Sequence, residues 1–217
     1  MSRDDWYRHH SWSDSDQAEF FARLAKSRGN FHKAQYARIQ AYELHHAGGK
    51  RYAHAALELL DLVLERWKTD AELAAVYHQR AECLLDLGDP VGALAAYREV
   101  FVEQRRVPSY MTNAHLDFAW WVAVSKKREL FDEALRVLEE FTRVDGIVFP
   151  ASSYQAEGAR ALILDILGDR ERAAGHARKA LAAAAKQHTG LRYHPTLGLV
   201  KIKDRQIHEA LSHLAAC

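Results

Sequence analysis

The chain has 217 residues, 48% of them hydrophobic and 27% charged, a balance that supports a packed core in one large or two small domains. Its 30 Lys and Arg against 29 Asp and Glu leave a formal charge of +1, which excludes a global pull toward nucleic acid or an anionic membrane. No apolar run of about 18 residues occurs, which excludes a spanning helix, and only two cysteines, Cys83 and Cys217, are present, which fits a reducing, cytoplasmic setting rather than a disulfide framework.

The first ten residues are polar and aromatic and lack the apolar core of a signal peptide. Trp6, Tyr7 and Trp12 either present a binding epitope or fold back on the following helices, and packing is the expectation. A helix is expected from about Ser13 to Arg28, opened by a Ser-Asp-Ser-Asp cap, with Phe20, Phe21 and Leu24 as its apolar stripe. From there the 3.6-residue period recurs without a break: Leu57, Leu60, Leu64 and Trp67, then Ala93, Tyr97, Val100 and Phe101, then Phe131, Leu135 and Leu138. No strand-like alternation appears, and the alanine-rich stretch after Ser152 favours helix intrinsically. The four prolines, at 90, 108, 150 and 195, fall where helices begin or separate.

The helices recur in pairs. The dipeptides Ala56-Leu57, Ala93-Leu94, Ala134-Leu135, Ala173-Ala174 and Ala210-Leu211 are spaced by 37, 41, 39 and 37 residues. Each follows a small residue of the preceding helix, namely Ala41, Ala81, Ala119, Ala161 and Gly198, at offsets of 15, 12, 15, 12 and 12. The longer offsets imply three extra loop residues near Gly48-Gly49 and Lys126-Lys127. Leu87-Gly88-Asp89 and Leu167-Gly168-Asp169 combine a helix-ending glycine with an aspartate able to cap the next helix.

With Tyr77, Ala81, Leu84, Gly88-Asp89, Ala93-Leu94, Tyr97 and Val100, the segment 74–106 resembles a tetratricopeptide repeat (TPR), and 154–187 resembles one nearly as well. The resemblance covers about 180 residues and implies an all-α, right-handed α-solenoid of about five hairpins. The first 30 residues would be an aromatic segment and capping helix, forming one compact unit with a repeat domain over 31–217. Repeats longer than usual, without a proline at their ends, depart from the family pattern.

Catalytic and metal motifs are weak. His208 and His213 are five apart, so they diverge by about 140° on a helix and do not form a zinc pair. No cysteine pair has zinc spacing, and no cofactor is expected. Arg38 and His45 share a helix face, a spacing also found in some all-α ribonucleases, where Arg would bind phosphate and His act as acid or base. An RNA-binding or ribonuclease reading and a self-associating module therefore stand as alternatives to the leading one, a non-catalytic protein-binding scaffold of the bacterial adaptor or immunity type. The TPR resemblance implies that the first helix of each hairpin lines a concave binding face. Carried over residue by residue, it nominates Arg38, Tyr42, His45 and His46, then His78, Glu82 and Asp86, then Asn113 and Trp120, then Gln155 and Asp165, with Leu116, Ala123, Arg192 and Lys203 among the further inner positions. The acidic residues disfavour an acidic tail and suit a basic protein partner; nucleic acid and membrane are not expected partners.

Overall fold

The computed structural model describes residues 5–142, 149–201 and 204–216, among which lie ten α-helices, two 3-10 turns and no strand. Lys203 and Cys217, named above, fall outside the described residues. None of the described helices is long and apolar enough to cross a membrane. The chain divides into two compact units, 1–114 and 115–217.

Unit 1 opens with a 3-10 turn, Asp5–Tyr7, followed by α1 (Asp14–Ala25), α2 (Gly29–Ala47), α3 (Lys50–Arg66), α4 (Asp70–Leu87) and α5 (Pro90–Arg106). Ser13 starts α1 through a reciprocal cap: its hydroxyl accepts the Asp16 N–H at 3.2 Å, and the Asp16 carboxylate accepts the Ser13 N–H at 2.8 Å. Each helix packs on the next, and α2 also touches α4. Phe20, Leu24, Leu44, Leu60, Val63, Val76 and Cys83 form the core. Burial pushes the Cys83 thiol pKa up to about 12.

The N-terminal aromatics belong to this core. Trp12 is buried, and Trp6 sits 5.0 Å from Tyr36 and 5.6 Å from Phe20 between ring centroids. What fixes them is a residue the sequence reading passed over. Gln40 is fully buried on α2, and its side-chain amide accepts the His9 N–H at 2.9 Å and donates to the His9 carbonyl at 2.7 Å. One glutamine thus satisfies both backbone groups of a residue that has no helix or sheet to do so.

Unit 2 contains α6 (Ala114–Val124, its first residue at the unit boundary), a 3-10 turn at Arg128–Leu130, α7 (Phe131–Thr142), α8 (Pro150–Leu167), α9 (Arg170–Ala184) and α10 (Arg205–Ala215). Six alanines of α9, at 173, 174, 177, 180, 183 and 184, are buried and let neighbouring helices approach closely. Leu116 and Ala123, nominated for a binding face, are buried core residues of α6 instead.

The hairpins align on their turns. The positive-φ residues Gly48, Gly88, Lys126 and Gly168 each fall seven residues after a buried alanine, at 41, 81, 119 and 161. Three of these turns share one hydrogen-bond pattern. The amide of the positive-φ residue bonds three residues back, and the next amide bonds five back: Asp89 to Leu84 at 2.8 Å, Lys127 to Val122 at 3.1 Å, Asp169 to Leu164 at 2.9 Å. Asp89 and Asp169 then cap the following helix, accepting the Gly92 N–H at 2.8 Å and the Arg172 N–H at 3.2 Å. This register corrects the first hairpin. Its turn, Gly48-Gly49, is as short as Gly88-Asp89, and the counterpart of Ala93 is buried Ala53, again 12 residues after the first alanine. The three extra residues are a turn of α3, not loop. In the third hairpin the longer connection does exist, holding the Arg128–Leu130 turn.

The expected fifth hairpin has only its second helix. Residues 185–201 form turns, closed by Thr189, whose N–H donates to the Pro195 carbonyl at 2.9 Å. Gly198 is not an interhelical small residue: it holds φ +72°, and a Cβ there would lie 2.5 Å from the Phe149 ring. With Gly190, Pro195 and Gly198 within nine residues, a helix is not favoured. α10 packs on α9 and α8, with Leu211 fully buried. His208 is half-buried against Tyr154.

Candidate functional site

The nominated residues converge best in unit 1. On α2, Ala34, Ala37, Ala41 and Leu44 take the buried face, which leaves Arg38, Tyr42, His45 and His46 on the side facing α4 and solvent. On α4, His78, Glu82 and Asp86 follow at steps of four along one face. Polar links join these helices at two points, Arg38 and His45. The Arg38 guanidinium pairs with Glu72, which is 5% exposed in the first turn of α4, where the helix dipole also favours a carboxylate. The Gln79 amide, turned with its oxygen toward the guanidinium, accepts from Arg38 at 3.2 Å and donates to the Arg38 carbonyl at 3.2 Å. Further along, His45 Nε2 lies 2.8 Å from Asp86 Oδ2. These two points follow in the same order along both helices, so α2 and α4 are parallel neighbours.

Beside the second link is an exposed aromatic surface. The Tyr42 ring stacks on His46 with centroids 3.9 Å apart and planes at 29°, and Tyr42 remains 43% exposed. His46 is held by its Nδ1, 3.0 Å from the Tyr42 carbonyl. The acidic edge is less bare than the spacing alone suggests. Asp86 is engaged by His45 yet keeps a side chain 68% exposed, and Glu82 lies 3.9 Å from His78. His78 also sits near Tyr97, 6.1 Å between rings. Arg38 and His45 do share a face, as their spacing requires, but each is turned to a carboxylate of α4.

The remaining nominees do not gather into one place. Asn113 is exposed in the connection after α5, beside Thr112, whose hydroxyl accepts the Ala114 N–H at 3.2 Å. In unit 2, Trp120 and Gln155 meet across α6 and α8. Trp120 lies 5.9 Å from Tyr154 between rings, and the Gln155 amide donates to Asp117 at 2.7 Å. Trp120 is half-buried because its ring edge rests on Gly158, where a Cβ would come within 2.9 Å of Cζ3. Asp165 is exposed near the end of α8, apart from these. Arg192 lies in the non-helical connection, 5.3 Å over the Tyr193 ring.

Sequence reasoning missed Glu72, Gln79 and Gln40. Gln40 was visible in principle: it is a polar residue on the apolar stripe of α2, between Ala37 and Leu44. Comparison of the chain with protein families, with curated proteins and with solved structures finds no match.

Proposed function

We propose that the chain is a non-catalytic protein-binding module of the TPR-like, right-handed solenoid type, an adaptor or immunity-type protein that docks a basic partner segment on the α2–α4 face of unit 1. The observation that carries this reading is the exposed Tyr42–His46 stack next to His45, which engages the exposed carboxylate of Asp86, with Glu82 one turn earlier on α4. An exposed aromatic stack offers large contact area at small entropic cost, the usual character of an interface anchor. The neighbouring carboxylates favour Lys or Arg on the partner and disfavour an acidic tail. The Arg38–Glu72 and His45–Asp86 links fix the two helices before binding, which reduces the ordering cost of association.

The test is to isolate partners by affinity capture and then titrate the captured protein calorimetrically. Tyr42→Ala should weaken binding by about 2 kcal/mol, the scale of an interface hot spot. Glu82→Lys with Asp86→Lys should weaken it most at low salt. Because Asp86 also holds His45, Asp86→Asn serves as a control and thermal melts accompany each variant. Wild-type affinity in Tyr42→Ala and in the charge-reversed protein, at both salt concentrations, would remove the face from consideration.

A further inference from the structure

Unit 2 has a cleft that the protein-binding reading leaves unused, and in it Trp120 and Gln155 share one surface. It has a volume of about 270 Å³ and lies between α6, the first turns of α8, the connection before α10 and the residue that caps α10. That volume is just below the roughly 300–1,000 Å³ of drug-sized sites, which restricts an occupant to a molecule of about amino-acid size.

Trp120, Tyr154, Leu199 and Val200 form the apolar wall. The two rings sit 5.9 Å apart at 44°, and each is held: Trp120 rests on Gly158, and the Tyr154 hydroxyl lies 3.4 Å from His208 Nδ1. The connection is tied to α8 by the Ala151 N–H, which donates to the Gly198 carbonyl at 2.8 Å, and by Gly198 itself, whose missing Cβ admits the Phe149 ring. The wall is therefore formed before any ligand arrives, which lowers the ordering cost of binding.

Three polar side chains line the same cleft, and each keeps binding capacity. Gln155 Nε2 donates to Asp117 Oδ1 at 2.7 Å, which turns Gln155 Oε1 away from Asp117 as an acceptor. Asp204 Oδ1 accepts the Ile207 N–H at 3.0 Å, and Oδ2 makes no hydrogen bond among the described residues. Lys201 is exposed, and among the described residues its ammonium has no ion pair or hydrogen bond. Lys201 and Asp204 thus face one cleft without neutralising each other. Burial and, after it, the Asp204 charge push the Tyr154 phenol up, so that wall stays neutral. With Asp117 counted behind Gln155, two carboxylates stand against one ammonium. That balance disfavours a simple anion and suits a ligand carrying an ammonium, while Lys201 supplies a partner for a carboxylate on the same molecule.

We propose that this cleft binds a free α-amino acid with a large apolar side chain. The side chain lies along Trp120, Tyr154, Leu199 and Val200. The ammonium is taken by Asp204 Oδ2 and Gln155 Oε1, and the carboxylate by Lys201. An amine, an acid or a small amino acid each leaves one of these features unmatched, so all three together define the ligand.

The experiment is an amide-resolved NMR titration of the intact protein with L-phenylalanine and L-leucine. The controls are the amine and the acid that each becomes when its carboxylate or its amino group is removed, and glycine. The expected result is saturable shifts at residues 151–155 and 199–201 with at least one of the two apolar amino acids, about tenfold tighter than with any control. Lys201→Met should remove the preference over the amine with unchanged melting, since the side chain is exposed. Asp204→Asn keeps an oxygen for the Ile207 N–H but loses the charge, and it should remove the preference over the acid. The Lys201→Met comparison decides even if Asp204→Asn loosens α10. The proposal is overturned if neither amino acid shifts these amides saturably at about 10 mM, if a control binds the wild type as tightly, or if the preference over the amine survives Lys201→Met.

Discussion

Gln40→Ala should detach the N-terminal strap while leaving α2 to α5 folded. The substitution removes two hydrogen bonds to His9, at 2.9 and 2.7 Å. At about 1 kcal/mol net each, their loss costs about 2 kcal/mol. Truncating a fully buried side chain adds a cavity term of about 1 kcal/mol if the site does not collapse. His9 is half-buried, so water satisfies part of what the glutamine leaves. The expected loss is about 2–4 kcal/mol, a substantial share of the roughly 5–15 kcal/mol typical of a folded domain. Urea unfolding of the wild type, Gln40→Ala and Gln40→Leu separates the contributions: leucine restores volume but not hydrogen bonds, so it should recover only the cavity part. Hydrogen exchange at the His9 amide gives a local readout and should accelerate in both variants. A stability change below about 0.5 kcal/mol in Gln40→Ala, together with unchanged His9 exchange, would refute the idea that this clamp holds the strap.

Gly158→Ala should lower stability by about 1 kcal/mol, since overpacking against Trp120 outweighs the gain in helix propensity. In a Trp120→Leu background the same change should be neutral or stabilising, and a double-mutant cycle by thermal unfolding checks this. Lys126→Gly should stabilise by about 0.5–1 kcal/mol, because Lys126 holds φ +53° where its hairpin counterparts are glycine; a melting temperature at or below wild type argues against the turn register. Cys83, in a Cys217→Ser background, should resist an aromatic disulfide reagent at pH 8 until denaturant is added, its thiol being buried and its pKa raised to about 12. Labelling within minutes under native conditions would contradict that burial.

Much of the helical architecture was legible because hairpins are written locally. The Leu-Gly-Asp turns and the alanines at 81, 93, 161 and 173 mark helix ends and close contacts within a few residues of chain. Where the reading slipped, the deciding interaction was distant or unusual. The last hairpin lost its first helix to a glycine whose positive φ and missing Cβ accommodate Phe149, nearly fifty residues earlier in the chain. The first hairpin was aligned one helical turn late because Ala53 and Ala56 are both buried, and sequence alone does not rank them. For the candidate face, the repeat resemblance nominated Arg38, Tyr42, His45 and His46, and α2 carries all four off its buried face. The resemblance could not show that Glu72, 34 residues away, occupies Arg38, or that Gln40 spends its amide on the N-terminal strap. Such pairings depend on which helices become neighbours.

The hairpin turns carry a warning for anyone who maps this chain by saturation mutagenesis. Gly88 and Gly168 are solvent-exposed, and a Cβ at either would meet nothing within 4 Å. Yet each holds a left-handed backbone that a side chain strains, by roughly 1 kcal/mol per site. In a fitness map these surface positions would score as intolerant as the buried alanines. They would stand out as conspicuous exposed spots that look like a docking patch but record only chain geometry. On the proposed reading Tyr42 would differ in kind: its substitutions should reduce fitness only under selection for partner binding. Running the same library with and without that selection would separate recognition from folding at each exposed residue.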